Sequence, residues 1–354
     1  MTLNAKKTRA QKKNDSESVA LPQELIDAIV SEVDDKGSLE ACSLSSSSLR
    51  GPSQRILIHS LTLHGHGDFK VRTFLTEAPH IASYITDLKL KLWGYTDLVE
   101  LETLCWVLGK LTRVARCTIT GVFLNARWGN VNPTLSTALL DFIFRQDFQS
   151  LHVALLKDIP PPVFRCLIKS AGTLSFYNVD LQSHSGARDE VGDDSYTRAP
   201  NRSLLLDAGC AGVAQHLRSP GVITHTSTIL CLSVMLEQSQ SLALIKTASE
   251  TLHYLRLDCT VLNSPEASRI LPFLPRLRTL EVALAVSRAN AVFHPNGNVQ
   301  WFIDVVCNIL TTYHKAQGAP LPELILSYIY ARFVRPAERP RARIAGGFGN
   351  NYGV

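Results

Sequence analysis

Beyond residue 80 one six-residue pattern, apolar-x-x-apolar-x-apolar, keeps returning. It reads ITDLKL from Ile85, VARCTI from Val114, FQSLHV from Phe148 and AGTLSF from Ala171. It returns as LHYLRL from Leu252, LRTLEV from Leu277 and LPELIL from Leu321, with a weaker copy, STILCL, from Ser227. The last two apolar positions are spaced by two, the period of a strand that buries one face and leaves the other to solvent. Between the copies lie stretches with helical spacing: residues 96–111, 132–145, 159–171, 240–249 and 298–316. A short strand followed by a helix cannot bury its own apolar face, so copies of such a unit must stack to complete a core.

The first residues of successive copies are 29, 34, 23, 56, 25, 25 and 44 residues apart. Most steps approach the roughly 20–29 residues per turn of leucine-rich repeats. The step of 56 hides one degenerate turn near SLLLDA, Ser203 to Ala208. The expected fold class is therefore α/β, an irregular leucine-rich-repeat-like solenoid over residues 64–334. A doubly wound α/β sheet with variable loops is the alternative that helix lengths leave open. The repeats lack the Asn that usually follows the strand in regular repeat families. Residues 182–200 are rich in Gly, Ser and Asp and read as a long polar loop.

The region before the repeats differs. Residues 1–19 lack apolar periodicity and read as a disordered basic tail. The run KKTRAQKK, Lys6 to Lys13, fits a nuclear-import signal and also a plain solvated tail, the simpler reading. Residues 20–63 read as a three-helix unit ending in a strand, LTL, at Leu61 to Leu63. Leu25, Ile26, Ile29, Val30 and Val33 form one apolar stripe behind Pro22, which suits a first helical turn. Gly37 is placed for a left-handed cap, Ser38 for capping the next helix, and Pro52 for opening the third. Leu39, Cys42 and Leu44 are expected to face inward. Residues 335–354, rich in Pro, Arg, Gly and Asn, read as a disordered tail.

Net charge is +5, and the basic excess of the N-terminal tail supplies most of it. The nearly neutral body lacks the broad basic face that nucleic-acid binding uses. The eight cysteines are scattered without a CxxC pair, as reduced, mostly buried thiols of an intracellular protein are. The polar start carries no secretory signal, and no apolar run approaches the ~20 residues of a membrane helix. A soluble protein of the cytoplasm or nucleus, with no membrane partner, is the expectation.

No residues announce catalysis. There is no GxSxG, no Gly-rich loop ending in GK[ST], no HExxH and no GxGxxG. AGCAG, Ala208 to Gly212, has no Lys to hold a phosphate and reads as a turn. His59, His64, His66 and Asp68 cluster within HSLTLHGHGDF, which reads as a polar turn after a strand; as a zinc site it lacks a fourth strong ligand. Trp93, Trp106, Trp128 and Trp301 read as packing residues. An enzyme with no metal or cofactor signature is disfavoured, and no cofactor is expected.

LPQELIDAIV, SLEACSL and LRGPSQRILIHSLTL, within residues 20–63, together resemble an F-box of the type common in basidiomycete fungi. APHIASYITDLKLKL, Ala78 to Leu92, resembles the segment that follows it in those proteins. The resemblance implies docking on a Skp-family adaptor, and through it on a cullin–RING ubiquitin ligase (SCF type). The repeat region would then bind a protein substrate, as a non-catalytic substrate adaptor for protein degradation. Leu21, Pro22, Leu25, Ile29, Leu39, Cys42 and Leu44 match the family's apolar contact set by position. One departure stands out: the family's Val-Cys-Arg-x-Trp run is SSSSL here, Ser45 to Leu49, and a Phe of the third helix is Ile58. Serines lower helix preference and put hydroxyls where apolar groups usually sit. The second reading is therefore a repeat-based interaction scaffold whose degenerate F-box no longer binds the ligase. On the strands, Lys89, Lys91, Thr118, His152, Arg256, Asp258, Glu281 and Ser327 are expected on the face left open.

Overall fold

The computed structural model describes residues 21–64, 69–92, 98–122, 126–182, 203–207, 209–218, 229–235, 239–260, 271–287, 307, 311 and 322–331. Helices α1 (Gln23–Ser31), α2 (Lys36–Ser45) and α3 (Ser47–Leu57) lead into one ten-stranded sheet. Its strands are β1 (Ser60–Leu63), β2 (Asp87–Leu92), β3 (Arg116–Gly121), β4 (Phe148–Ala154), β5 (Ala171–Tyr177), β6 (Ser203–Leu206), β7 (Cys231–Met235), β8 (Tyr254–Thr260), β9 (Thr279–Ser287) and β10 (Glu323–Ala331). Six further helices lie between them: α4 (Phe69–Glu77), α5 (Leu98–Lys110), α6 (Pro133–Arg145), α7 (Pro161–Lys169), α8 (Ala211–His216) and α9 (Ser239–Thr247). The protein is thus α/β, with nine α-helices among the described residues.

Every neighbouring pair of strands is parallel, and the strands follow one another in strict chain order from β1 to β10. A doubly wound sheet reverses its order partway across; this one never does. The copies of the six-residue pattern fall on strands, and SLLLDA, at the wide step, carries β6; the weaker copy STILCL is set two residues too early, since only its Cys231 and Leu232 lie in β7 and the register puts Leu232 and Val234 on the inward rows.

The register explains the pattern. Its fourth residue forms one row across the sheet, Leu88, Cys117, Leu151, Leu174, Leu255, Leu280 and Leu324, which Leu61 of β1, Leu204 of β6 and Leu232 of β7 complete. Its sixth forms the next inward row, which includes Leu63, Leu90, Ile119, Val153, Phe176, Leu206, Val234, Leu257 and Val282, all buried. The helices close this side. Leu104, Val107 and Leu108 of α5, Leu139, Phe142 and Ile143 of α6, and Phe164, Leu167 and Ile168 of α7 share one core with the strand rows. Their spacing of three and four residues turns one helix face inward. The Phe142–Phe148 and Phe164–Phe176 ring pairs tie α6 to β4 and α7 to β5. Trp128 is buried, while Trp106 is half-buried with Arg72 and Lys110 over its ring. Trp93 and Trp301 lie outside the described residues.

The connections leaving β4, β5 and β6 are tight. Leu155, Asp158, Asn178 and Gly209 all take the left-handed backbone conformation. Only Gly209 does so without a Cβ penalty, and Asn178 stands so close that a side chain there would collide. Gly121, ending β3, is small for a different reason: a Cβ would run into the Leu155 carbonyl oxygen.

Several local expectations need correction. α2 is capped by Asp35, whose carboxylate accepts from Ser38 N–H at 2.7 Å; Ser38 does not cap it. Gly37 lies inside α2 and has no left-handed conformation. α3 begins at Ser47, and Pro52 sits within it rather than at its start. The helix α4 has no counterpart in the sequence pattern. Expected helices at 96–111, 132–145, 159–171 and 240–249 are α5, α6, α7 and α9, shorter by a few residues or shifted by one. Of the helix expected at 298–316 only Cys307 and Thr311 are described, both helical, and most of the polar loop at 182–200 lies outside the described residues, as do both tails.

Candidate functional site

Two surfaces stand out, one on the N-terminal helices and one on the sheet. In the first, α1 and α2 each pack on α3. The unit's own core is small: Val30 of α1, Leu39 of α2, and Pro52 and Ser53 of α3 are its buried residues. Of the other apolar side chains here, Ile26 is half-buried, while Leu25 and Ile29 face solvent. Leu21, Leu25 and Ile29 are 54%, 52% and 56% exposed; Leu25 and Ile29, four apart, lie on one side of α1, and Leu21 precedes the helix at its N-terminal end. Pro22 is exposed beside them.

On α2 the expected contact set divides. Leu39 is buried and Cys42 half-buried, so both serve the internal packing. Leu44 does not face inward as the sequence suggests; it is 82% exposed. Its place near the end of α2 turns it away from α3. The exposed members of the set are therefore Leu21, Pro22, Leu25, Ile29 and Leu44.

The serine run has a definite local use. Ser46 is extended and interrupts the helix, its Oγ accepting from Ser48 N–H at 3.2 Å to cap α3. Ser43 and Ser45 donate to the carbonyls of Glu40 and Cys42 in the last turn of α2. Leu49 is only half-buried. The hydroxyls are absorbed by helix ends, as short polar side chains favour.

The second surface is the side of the sheet opposite the helices. The residue between the two inward rows points there from each strand. Thr62, Lys89, Thr118, His152, Ser175, Leu205, Ser233, Arg256, Glu281 and Ile325 form that row in register. Lys91, Asp258 and Ser327 belong to the next outward row; the Ser327 side chain is outside the described residues. The expected open-face residues are thus brought together.

Its chemistry changes from one end to the other. On β2 and β3, Arg116 grips Asp87 bidentately, at 2.5 and 2.7 Å, and this holds the Asp87 carboxyl below the usual carboxylate range. Lys89 and Lys91 stand exposed beside them. On β4 and β5, His152 Nδ1 is hydrogen-bonded to Ser175 Oγ at 2.9 Å. Burial pushes the His152 pKa down, against the opposing charge of Asp207. On β7 to β9 the groups satisfy one another: Arg256 pairs with Asp258 at 3.0 Å and Glu281 at 3.2 Å. Ser233 donates to Asp258, and the Tyr254 hydroxyl donates to Glu281. That hydroxyl, desolvated and beside a carboxylate, has its pKa pushed up to about 12.

Sequence reasoning missed Arg116, Ser175, Tyr177, Leu205 and Tyr254 of this face. Leu205 had a visible signal, since SLLLD puts an apolar residue where the alternation calls for a polar one. The Arg116–Asp87 pair had none, because the two residues meet only through strand register.

No group of three or more His, Cys, Asp or Glu among the described residues is placed to hold a metal ion. In the histidine cluster, His59 Nδ1–H donates to the Ile56 carbonyl at 2.6 Å, closing the end of α3, and its Nε2 lies 4.0 Å from Asp87. His66 and Asp68 fall outside the described residues. AGCAG contains the Gly209 turn and the start of α8. Burial pushes the Cys117 thiol up to about 12 and the Cys210 thiol up to about 11. Among the described residues no helix is long and apolar enough to cross a membrane. A scan of protein-family models finds none that matches the chain, and a search of curated proteins finds no match.

Proposed function

We propose that this protein is a non-catalytic substrate-recruiting subunit of a Skp–cullin–F-box ubiquitin ligase. In this reading α1–α3 are an F-box that docks a Skp-family adaptor. The sheet with its helices is an irregular leucine-rich-repeat solenoid that binds a protein substrate. The observation that carries the reading is the trio Leu21, Leu25 and Ile29, half-exposed on a three-helix unit with little core of its own. Burying a Leu or Ile fully is worth about 1.5–3 kcal/mol, so a partner covering this trio gains substantially. The strict strand order and the two uninterrupted inward rows support the solenoid, since each turn completes the core of its neighbour.

The test is a pull-down of the intact chain with the host's Skp-type adaptor, beside the Leu25→Asp, Ile29→Asp double variant. Both positions are exposed, so the variant keeps its fold, and capture of the intact chain but not the variant is expected. Equal capture of both overturns the interface.

The serine run favours a second reading, a repeat-based scaffold with a degenerate F-box. Ser46 breaks the helical path between α2 and α3, and Leu49 offers less packing area than an aromatic side chain. If the parent is not captured and Leu49→Trp creates capture, this second reading holds.

A further inference from the structure

The open side of the sheet carries a polarity that its strand order makes continuous. Among the described residues of β1 to β4 on this side, Lys89, Lys91 and Arg116 face the single carboxylate of Asp87. Among those on β6 to β10 and directly after β6, the balance reverses: Asp207, Asp258, Glu281 and Glu323 face the single cation Arg256. Between the two ends lie Thr118, Thr120, Ser150, His152, Thr173 and Ser175, small groups that donate and accept hydrogen bonds without a fixed charge.

An apolar step ends this neutral stretch. Leu205 on β6 and Tyr177 on β5 are 42% and 40% exposed. Leu205 pairs in register with Ser175, two residues before Tyr177, so the two large side chains adjoin on neighbouring strands. No structural need of the core accounts for them, since the inward rows are filled by Leu204, Leu206, Leu174 and Phe176.

We propose that the sheet between β2 and β6 binds an extended acidic segment of a partner protein that ends in an apolar anchor. The acidic end lies over Lys89 and Lys91, and the anchor packs on Leu205 and Tyr177. The carboxylates from Asp207 onward repel a ligand set down the other way round or shifted toward β10, which fixes its direction. Four strand spacings of about 4.8 Å separate β2 from β6, about 19 Å in all, which an extended peptide of about six residues spans. The proposal names the substrate class for the recruiting role above and rests on the repeat region being its substrate-binding part.

The probe is a fluorescein-labelled nonapeptide with three Glu at one end, a Gly-Ser-Thr-Ser-Gly middle and a terminal Leu. Its controls carry Lys for Glu or Ser for Leu. Anisotropy titrations use the intact chain without any adaptor, at about 50 mM and about 200 mM salt. Saturable binding of the acidic peptide, weakened by salt and absent for the Lys peptide, is expected. Lys89→Glu with Lys91→Glu should lower affinity at least tenfold and create binding of the Lys peptide. Leu205→Ser should weaken the Leu peptide several-fold and leave the Ser peptide unchanged. These are exposed positions, and the gained Lys-peptide binding shows that the charge-reversed variant is folded. Absence of saturable acidic-peptide binding, or equal binding of acidic and basic peptides, overturns the proposal. Because no adaptor is present, that failure is separate from failure of the helix-docking pull-down.

Discussion

Gln23 of α1 donates from Nε2 to the carbonyl oxygen of Ser48 in α3 at 3.3 Å. That carbonyl would ordinarily accept from the N–H four residues on, but the residue there is Pro52, which has none. A proline inside one helix thus leaves an acceptor that a side chain of another helix fills, and this contact ties the two helices together. Arg55 of α3 reaches Asp27 of α1 at 3.4 Å to the same effect.

Gln23→Ala should therefore destabilise the N-terminal unit by about 0.5–1 kcal/mol, the lower part of the range for one hydrogen bond because the site is exposed. In the background of Pro52→Ala, where the substituted residue regains an N–H for the Ser48 carbonyl, the same change should cost much less. Chemical unfolding of the four proteins of this cycle measures the coupling. Additive effects would show that the Gln23 contribution does not depend on the N–H that Pro52 lacks.

Gln146 is buried just after α6 and spans two backbone groups of the loop before β3. Its Oε1 accepts from Val114 N–H at 3.1 Å, and its Nε2 donates to the Leu111 carbonyl at 2.9 Å. Gln146→Leu is nearly the same size but strands both groups, at about 1–3 kcal/mol each. A urea midpoint lowered by a loss of about 2–4 kcal/mol, with an unchanged slope, is the expected result. A neutral substitution would mean that water replaces the amide.

Asp87 and Arg116 link β2 to β3 on the open face. Because the folded-state pKa of Asp87 is lowered from 3.8, its contribution is present above that value and lost as pH falls through the lower folded value. Asp87→Asn should lower the melting temperature at neutral pH. The difference from the parent should shrink as pH falls below 3.8 and vanish once it is below the lowered folded value. A constant difference across that range would assign the effect to packing instead of charge.

Cys117 and Cys210 are buried thiols whose pKa values lie far above neutrality, so the reactive thiolate is scarce and shielded. At about pH 8 neither should react with iodoacetamide until the chain unfolds, while exposed Cys307 should react at once. Mass spectrometry of peptides after timed labelling distinguishes them. Rapid labelling of Cys117 in the folded protein would contradict its burial.

The ten strands were legible because each inward row demands an apolar residue at the same two positions in every turn. Leu88 and Leu90 of β2 announce this as plainly as Leu255 and Leu257 of β8. Even Leu204 and Leu206, in a degenerate copy, keep it. The helix α4 escaped because only Leu75 of its residues is buried, which leaves no apolar stripe to read. The start of α3 escaped because the serine run looks like a linker, and its capping by Ser46 depends on one extended residue.

The same division applies to the surfaces. Leu25 and Ile29 were visible as a helical spacing, but the spacing assigned inward and outward residues to one apolar set. Packing on α3 separated them, burying Val30 and Leu39 and leaving Leu25 and Leu44 in solvent.

The sequence by itself determined the repeating strand-and-helix unit, since periodicity two and periodicity near four are properties of the chain and need no neighbour. It also determined which strand residues face away from the core. Only the tertiary structure decided what those residues meet. Parallel register set Arg116 on Asp87, Arg256 on Glu281, and Tyr177 beside Leu205, joining residues of separate turns. Hydrogen bonding between adjacent backbones fixes such rows, and that relation is absent from any single stretch of the chain.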